Sequence, residues 1–466
     1  MVAEELNDRP ASRWLTLAVV SAATAMLLLD VTVVNVALPA IRADLGASFA
    51  ELQWVVDAYA LTLAATLLTT GALADRHGRR AVFAAGLVVF TACSALCAAA
   101  GSGVMLDVAR AAQGIGAAAM FAASLALLAH EFQGAERGFA LGVWGAITGA
   151  ALAIGPLAGG LLVDGPGWRW VFLVNLPLGV VLTWLTLRRL PESRDPSPRG
   201  LDLPGLVSFG AASFLGTYGL IRGNEDGWAS APVLGSLVAS ALLLAVFVVV
   251  ERRSRAPMLA PALFRIPAFT GTAVVAFAQS VALYPLFLFL AVYLQEGLGY
   301  SATGTGLRLL PLTLVLFMVA PVSGRLTGRI GLRAPLVTGL GLIAVALLLM
   351  RGLEPGSSWT HLLPGFVVGG LAIGVISPAL AAAMVGVLSA DQVGLASGIN
   401  NTFRQLGIAV GIAVLGAVFT HHAGGGLPGL VDGLNAVFTV AAAVAGAGAV
   451  IAWPLLAGFA VPPRMR

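Results

Sequence analysis

Two acids and one arginine in the N-terminal part of this sequence lie within long apolar stretches. Asp30 is near the middle of the first stretch, Asp57 lies in the second and Arg110 in the fourth. A charge at the centre of a bilayer costs roughly 2.5–3.5 kcal/mol, so each of these residues requires a reason. Burial disfavours a charged carboxylate and a nearby cation favours it, so such groups can bind and release protons. We predict that all three take part in proton coupling. The alternatives are helix-to-helix hydrogen bonds for the acids, and an Arg110 that extends to the bilayer surface.

Polar side chains in other apolar stretches predict a cavity between helices. Asn400 and Arg404 are spaced four residues apart, as are Asn401 and Gln405, and these two pairs cannot all face lipid. A cavity of amides, aromatic rings and an arginine suits neutral or anionic polycyclic compounds. We predict that this cavity is lined by Asn35, Gln53, Trp54, Gln113, Gln279, Tyr284, Tyr293, Asn400, Asn401 and Arg404.

The segment GALADRHGRR, at positions 71–80, is a charged break between two apolar stretches. Glycine permits a tight turn, and an acid can accept hydrogen bonds from an arginine or a helix N-terminus in one conformation and release them in another. We predict a cytoplasmic gate formed by Gly71, Asp75, Arg76, Gly78 and Arg79. The similar segment at 324–333 has Gly328 in place of the acid, which favours a purely topological role for its arginines.

The fifth apolar stretch is rich in small residues spaced about one turn apart. Such residues form a smooth helix face on which another helix packs closely, and a proline permits a bend. We predict that this face packs against a helix from the other half of the chain and consists of Gly145, Gly149, Gly155, Pro156 and Gly159.

The composition places most of the chain in a membrane. Of 466 residues, 10% are charged and 59% are hydrophobic, and the mean hydropathy is +0.94. Soluble globular domains contain about 25% charged residues, so a soluble fold is excluded. All 26 basic residues are arginine, and they are scattered among short loops, so no nucleic-acid-binding patch is expected.

Fourteen apolar stretches are long enough to cross a bilayer. We place these spans near 14–38, 50–73, 80–100, 104–129, 138–162, 170–187, 203–221, 231–250, 268–294, 301–324, 334–350, 360–387, 393–420 and 434–457. With a cytoplasmic N-terminus, the cytoplasmic segments contain nineteen arginines and the opposite loops contain four. This bias predicts a multi-pass protein of the inner (plasma) membrane with both termini in the cytoplasm.

An internal repeat predicts two similar halves. GALADRHGRR at 71–80 aligns with GRLTGRIGLR at 324–333, and GFALG at 138–142 aligns with GLASG at 394–398. Chance similarity between glycine-rich helices is the alternative. The predicted fold is an all-α membrane protein with 14 transmembrane helices, arranged as two six-helix bundles and a two-helix insert. Its parts are an N-terminal bundle at 1–190, a linker with two extra helices at 191–260 and a C-terminal bundle at 261–466.

Four segments resemble the signature motifs of the major facilitator superfamily, in its fourteen-span drug:proton antiporter branch. They are LDVTVVNVALPAI in span 1, GALADRHGRR after span 2, ARAAQGIGAA in span 4 and GAITGAALAIGPLAGG in span 5. The sequence as a whole resembles actinomycete antibiotic exporters in its general character. The resemblance implies export of lipophilic small molecules driven by protons, with Arg110 tied to proton coupling and the span-5 glycines forming the antiporter motif.

We therefore predict proton-coupled multidrug or antibiotic efflux by alternating access, in exchange for protons. The alternative is a transporter of the same fold that carries a lipid or another metabolite. An intramembrane enzyme is disfavoured because the chain has no HExxH and no GxSxG motif, and a P-loop cannot form without lysine.

No cofactor and no metal ion are expected, because Cys93 and Cys97 are the only cysteines and two thiols cannot form a structural zinc site. The expected partners are small hydrophobic substrates, protons and the lipid bilayer. No nucleic-acid partner is expected, and the chain is predicted to be a monomer.

Overall fold

The computed structural model describes residues 9–132, 134–194, 200, 202–254, 257, 259, 261–386 and 393–457. Within these residues the secondary structure is helical, and no β-strand occurs. Fourteen helices in the described part of the chain are long and apolar enough to cross a membrane, which confirms the predicted count and the all-α fold. The terminal segments 1–8 and 458–466, whose cytoplasmic location was predicted, lie outside the described residues.

We number these helices α1–α14 to match the predicted spans. A short helical turn precedes α6 at Trp170–Leu173, a π turn continues α9 through Tyr293–Gly297, and a 3-10 turn precedes α12 at Trp359–Leu362. The bounds are Arg9–Leu45 (α1), Phe49–His77 (α2), Arg79–Ala98 (α3), Gly103–Glu131 (α4), Gly134–Asp164 (α5), Asn175–Arg189 (α6), Leu203–Asp226 (α7), Ala231–Arg253 (α8), Pro267–Val292 (α9), Ala302–Ile330 (α10), Arg333–Met350 (α11), Leu363–Gly386 (α12), Val393–His422 (α13) and Gly426–Leu455 (α14).

Local sequence signals define several helix ends. Ser48 and Glu51 form a capping box at the start of α2, in which each side chain accepts a hydrogen bond from the backbone N–H of the other residue. Ser102 caps α4 by accepting a hydrogen bond from the N–H of Met105. The largest boundary error concerns α14, which begins eight residues before the predicted position 434 because the apolar segment after Gly426 continues the helix across Asp432.

The two halves of the chain each have an apolar core. One core is formed by α1–α6 around residues such as Phe83, Phe90 and Met120, and the other by α9–α14 around residues such as Phe366 and Phe438. A third cluster lies where the halves meet and joins residues of α1 and α2 to residues of α9 and α13. This arrangement places the functional candidates near an interface between two helix bundles.

The insert helices lie beside the interface rather than within either core. In α7, the Phe214 ring lies 5.4 Å from the Trp54 ring of α2, and the Asn224 side chain donates hydrogen bonds to the Ala417 carbonyl and Thr420 hydroxyl of α13. Helix α7 therefore contacts both halves. Helix α8 packs on α7 and is largely exposed along an apolar surface, as expected for a lipid-facing helix.

Candidate functional site: a buried ion pair and a gap between the halves

Asp30 of α1 and Arg110 of α4 form a buried ion pair. Only 2% of Asp30 and 1% of Arg110 are exposed, and Arg110 Nη1 donates a hydrogen bond to Asp30 Oδ2. Arg110 Nε also donates to the Val55 carbonyl of α2 at 3.0 Å. The guanidinium carbon lies 4.2 Å from the centre of the Tyr59 ring, so an aromatic face covers the cation. Arg110 is therefore held inside the protein and does not extend to a bilayer surface.

Three amide and hydroxyl side chains complete the surroundings of this pair. Gln113 Nε2 donates to Asp30 Oδ1 at 3.2 Å and to Ser94 Oγ at 2.8 Å, while Gln113 Oε1 accepts from Arg110 Nη1 at 2.7 Å. Asn175 Nδ2 donates to Asp30 Oδ1 at 3.0 Å. Helices α1, α3, α4 and α6 thus meet at one hydrogen-bonded network, in which each oxygen of Asp30 accepts at least one bond.

Asp57 has a different environment. It is fully buried in α2, and neither of its carboxyl oxygens has a hydrogen-bond partner among the described residues. One turn earlier in the same helix, Gln53 Nε2 donates to the Ile412 carbonyl of α13 at 2.8 Å. Residues four apart share a helix face, so Asp57 lies on the face of α2 that meets the other half of the chain. The structure does not join Asp57 to the Asp30–Arg110 pair by any hydrogen bond or ion pair within the described part of the chain.

Asp107 is a further acid of the fourth span and was not among the predicted site residues. It lies one turn into α4 and three residues before Arg110, and its Oδ1 atom is buried without a partner in the described structure. The predicted span 4 begins at 104 and α4 begins at Gly103, so Asp107 lies close to a helix end in both. Asp432, which precedes the predicted start of span 14 at 434, lies inside α14 and is exposed.

The segment predicted as a gate loop is mostly helical: Gly71, Asp75 and Arg76 belong to the last turns of α2, Arg79 begins α3, and Gly78 alone joins the two helices. Asp75 Oδ1 accepts two hydrogen bonds from the Arg79 guanidinium, at 2.9 and 3.1 Å. Gly78 has φ +119°, a conformation that favours glycine, and Arg76 is exposed. A Cβ atom built on Gly71 would lie 3.7 Å from the Ala122 side chain of α4, so this glycine sits in ordinary contact with a neighbouring helix.

Glu192, which follows α6, docks on the same loop and was not predicted. Its carboxylate accepts hydrogen bonds from the backbone N–H groups of Arg80 at 3.0 Å and Ala81 at 3.2 Å, so it caps the N-terminus of α3. A Cβ atom on Gly78 would lie 2.7 Å from this carboxylate, so a larger residue would displace the Glu192 side chain from the cap. Glu192 is visible in the sequence RRLPES, but its pairing with Arg80, 112 residues earlier, follows only from the tertiary fold.

The predicted packing face of α5 is only partly in contact. Cβ atoms on Gly155 and Gly159 would lie too close to Thr32 and Val33 of α1, a helix of the same half, so the predicted partner in the other half is wrong for these two glycines. Pro156 lies against Gly306 of α10, in the other half, as predicted. In contrast, Cβ atoms built on Gly145 and Gly149 meet no atom within 4 Å among the described residues. The glycine face of α5 is therefore in close contact toward its C-terminus and open at Gly145 and Gly149.

The halves are joined at the end of the molecule that contains the C-terminus of α5. Arg42 of α1 forms an ion pair with Glu296 at 2.9 Å, and Gln295 donates to the Val36 carbonyl at 2.9 Å. The Asp164 carboxylate accepts from the first backbone N–H groups of α10, including that of Thr303 at 2.7 Å. These contacts join the halves at the end opposite the arginine-rich loops. The unoccupied space beside Gly145 and Gly149, here called the gap, lies nearer those loops, where α2 and α13 still meet at Leu68 and Gly398.

Of the predicted cavity residues, Arg404 is the one placed most clearly across the interface. Its guanidinium carbon lies 5.9 Å from the Phe121 ring of α4, although Arg404 itself belongs to α13. Asn400, one turn earlier, is 3% exposed and has a carbonyl oxygen without a partner in the described residues. The Gln279 side-chain oxygen of α9 is likewise buried and unpartnered there. Asn401 is also buried, and Tyr284 packs in the cluster that joins the halves.

The remaining predicted cavity residues occupy other places. Gln113 belongs to the ion-pair network, Gln53 bonds to α13, and Trp54 packs on the insert helix α7. Asn35 donates to the carbonyl one turn earlier in its own helix, at 2.8 Å. Tyr293 is 1% exposed within the core of the C-terminal half, and its hydroxyl has no partner in the described region.

Comparison with known proteins identifies the family. The family model described as Major Facilitator Superfamily matches residues 20–319 and 268–465, which together include most of the chain. The chain belongs to the major facilitator superfamily. This transporter is 38% identical over 395 residues to the multidrug resistance protein Stp of Mycobacterium tuberculosis, covering 84% of this chain and 73% of that protein. It is 36% identical to the tetracenomycin C resistance and export protein of Streptomyces glaucescens, covering 91% of this chain and 79% of the relative.

A solved structure of a POT family transporter in complex with a thioalcohol-conjugated peptide has the same fold. It superposes on this major facilitator protein with a TM-score of 0.71, at 15% identity, over 93% of this chain and 94% of the other. At that identity the likeness concerns the fold alone. The sequence relatives, which are named for drug resistance and export, show that this chain is a multi-pass membrane transporter of the efflux type.

Proposed function

We propose that this chain is a proton-coupled antiporter that exports lipophilic small molecules by alternating access. Its moving parts are the two bundles, at 1–190 and 261–466. The insert at 191–260 connects them. It works as a monomer in the plasma membrane, with both termini and the arginine-rich loops in the cytoplasm. The names of its relatives support export of antibiotics or other drugs.

The observation that carries the proposal is the Asp30–Arg110 pair. It lies fully buried, in a network whose members come from four helices. An ion pair removed from water and lipid is costly to maintain and rarely improves stability over an apolar core, so its retention favours a functional role. Protonation of Asp30 would release Arg110, Gln113 and Asn175 from a shared acceptor, which changes the contacts between α1, α4 and α6.

The gap beside Gly145 and Gly149 supports the conformational step of the transport cycle. Closing the halves there and opening them at Arg42, Glu296 and Asp164 would move the cavity from one side of the membrane to the other. The junction of α2 and α3, with Asp75, Arg79 and the docked Glu192, lies at the end that must close. In this mechanism, proton binding and substrate binding each favour one arrangement of the same two bundles.

The test is transport by the purified protein in liposomes. An imposed pH gradient, acidic on the side opposite the arginine-rich loops, should drive accumulation of a lipophilic fluorescent dye, and an uncoupler should abolish it. Asp30→Asn should lose the gradient-driven component while remaining inserted. The proposal is contradicted if the uncoupler does not affect dye movement. It is also contradicted if Asp30→Asn transports the dye at the full gradient-driven rate.

A further inference from the structure

Arg404 lacks the kind of partner that Arg110 has. Both arginines belong to spans, but Arg110 is neutralised by Asp30, whereas no ion pair involves Arg404 in the described part of the chain. The Arg404 Nε atom is also buried without a hydrogen-bond acceptor there. A guanidinium cannot readily lose its proton, so the partly buried Arg404 remains a cation. Its buried Nε–H calls for an anion or a strong hydrogen-bond acceptor, which the described protein does not supply to that atom.

The surroundings of Arg404 are aromatic. Its guanidinium faces Phe121 of α4, and the Phe121 ring is in edge-to-face contact with Trp144 of α5 at 6.0 Å. Trp144 is fixed in turn by a 3.0 Å hydrogen bond from its indole N–H to the Thr24 hydroxyl. Gly145, next to Trp144, borders the gap between the halves. An aromatic wall and a cation therefore stand together at the open side of the interface.

The nearest acids do not neutralise this cation. Helices α2 and α13 run antiparallel: Gln53 contacts Ile412, and Leu68 contacts Gly398. By interpolation, Asp57 of α2 is at the height of Ile408 of α13, which is one helical turn from Arg404. No hydrogen bond or ion pair joins the two in the described structure. Asp30 already pairs with Arg110, and Tyr59 covers that pair. When Asp57 carries a proton it is neutral, and the positive charge of Arg404 then sets the net charge at this part of the interface.

We infer that Arg404 is a specificity-determining residue that binds the acidic group of planar aromatic substrates. A carboxylate or phenolate would accept hydrogen bonds from the guanidinium while its rings lie along Phe121 and Trp144. Neutral compounds rich in carbonyl groups would bind less tightly, and cations would be repelled. This inference rests on the proposed transport function and adds the chemical class of the cargo.

Equilibrium binding to the detergent-purified full chain, without any gradient, tests this assignment separately from transport. The probes are anthracenecarboxylate, anthracenecarboxamide and anthracenemethylammonium, which share a ring system and differ in charge. We expect the acid to bind the unmodified protein at least about 10-fold more tightly than the ammonium compound, since only the acid can accept charge-assisted hydrogen bonds from the guanidinium. Equal affinities for the acid and the ammonium compound, or a preference for the ammonium compound, would overturn the inference without any variant.

Variants then assign the effect to Arg404. Arg404→Gln should weaken binding of the acid by about 10-fold or more and leave the amide within about 2-fold, while Arg404→Lys retains part of the preference for the acid. The matched control is Arg308→Gln, because Arg308 is also an in-span arginine but lies 3.3 Å from the Tyr300 ring at the closed end. Equal losses for acid and amide would show that Arg404 acts only on structure. If acid binding depends on Arg404 but no uncoupler-sensitive transport occurs, the inference stands and the proposed function fails.

Discussion

Gly149 and Gly160 lie on one face of α5, yet only Gly160 contacts α10. Eleven residues are close to three full helical turns, so both glycines point in the same direction. A Cβ atom on Gly160 would lie 2.6 Å from the Thr303 Cα atom, whereas one on Gly149 meets no described atom within 4 Å. The two helices therefore diverge along their length, and the distance between the halves depends on position along the membrane normal.

This divergence yields a matched pair of substitutions. Gly160→Leu should lower the melting temperature strongly, because a Cβ atom there already lies 2.6 Å from the Thr303 Cα atom of α10 and backbone cannot move aside. Gly149→Leu should leave the melting temperature nearly unchanged but slow transport, if the halves must approach each other at this point. Thermal unfolding in detergent and liposome transport measure the two effects. Full transport by Gly149→Leu would show that the gap does not close.

The buried ion pair predicts a separation of stability from activity. Asp30→Asn leaves Arg110 as an uncompensated buried cation, and breaking such a pair costs about 3–5 kcal/mol. The double variant Asp30→Asn with Arg110→Gln removes both charges and should recover much of the lost thermal stability, yet it should remain unable to couple export to a pH gradient. Recovery of coupled transport in the double variant would mean that the pair has a structural role only.

For Asp57 we expect substitution to reduce proton coupling without reducing stability. Because neither carboxyl oxygen has a partner among the described residues, Asp57→Asn should not lower thermal stability and should selectively reduce the acceleration of export by a pH gradient. Downhill exchange of substrate at equal pH should persist. Asp107→Asn is the comparison, since Asp107 is less buried and precedes Arg110 by three residues. Loss of exchange at equal pH in Asp57→Asn would place this residue in the substrate site instead.

The loop between α2 and α3 should control rate rather than affinity. Glu192→Gln and Asp75→Asn weaken charge-assisted hydrogen bonds at the N-terminus of α3 and at Arg79, far from Arg404 along the helix axes. We expect slower turnover with substrate affinity within about 3-fold, or less than about 1 kcal/mol. Arg76→Gln, at an exposed position, serves as the control. A collapse of binding in Glu192→Gln would contradict a gating role.

The sequence by itself determined the membrane class, the number of spans and the family. Charges are so costly in lipid that a nearly uncharged stretch of sufficient length can only be a crossing, and this holds for each segment independently of its neighbours. Asp30, Asp57 and Arg110 stood out for the same reason. The motifs in spans 1, 4 and 5 were local strings, so the resemblance did not require any knowledge of packing.

Only the tertiary structure decided which of these residues meet. Asp30 and Arg110 are 80 residues apart, and Asn175 is 145 residues from Asp30, so their network depends on the order in which α1, α4 and α6 pack. The same is true of Glu192 at the N-terminus of α3. Whether a glycine face is in contact or open depends on the relative tilt of two bundles, a property of the whole assembly that no local pattern contains.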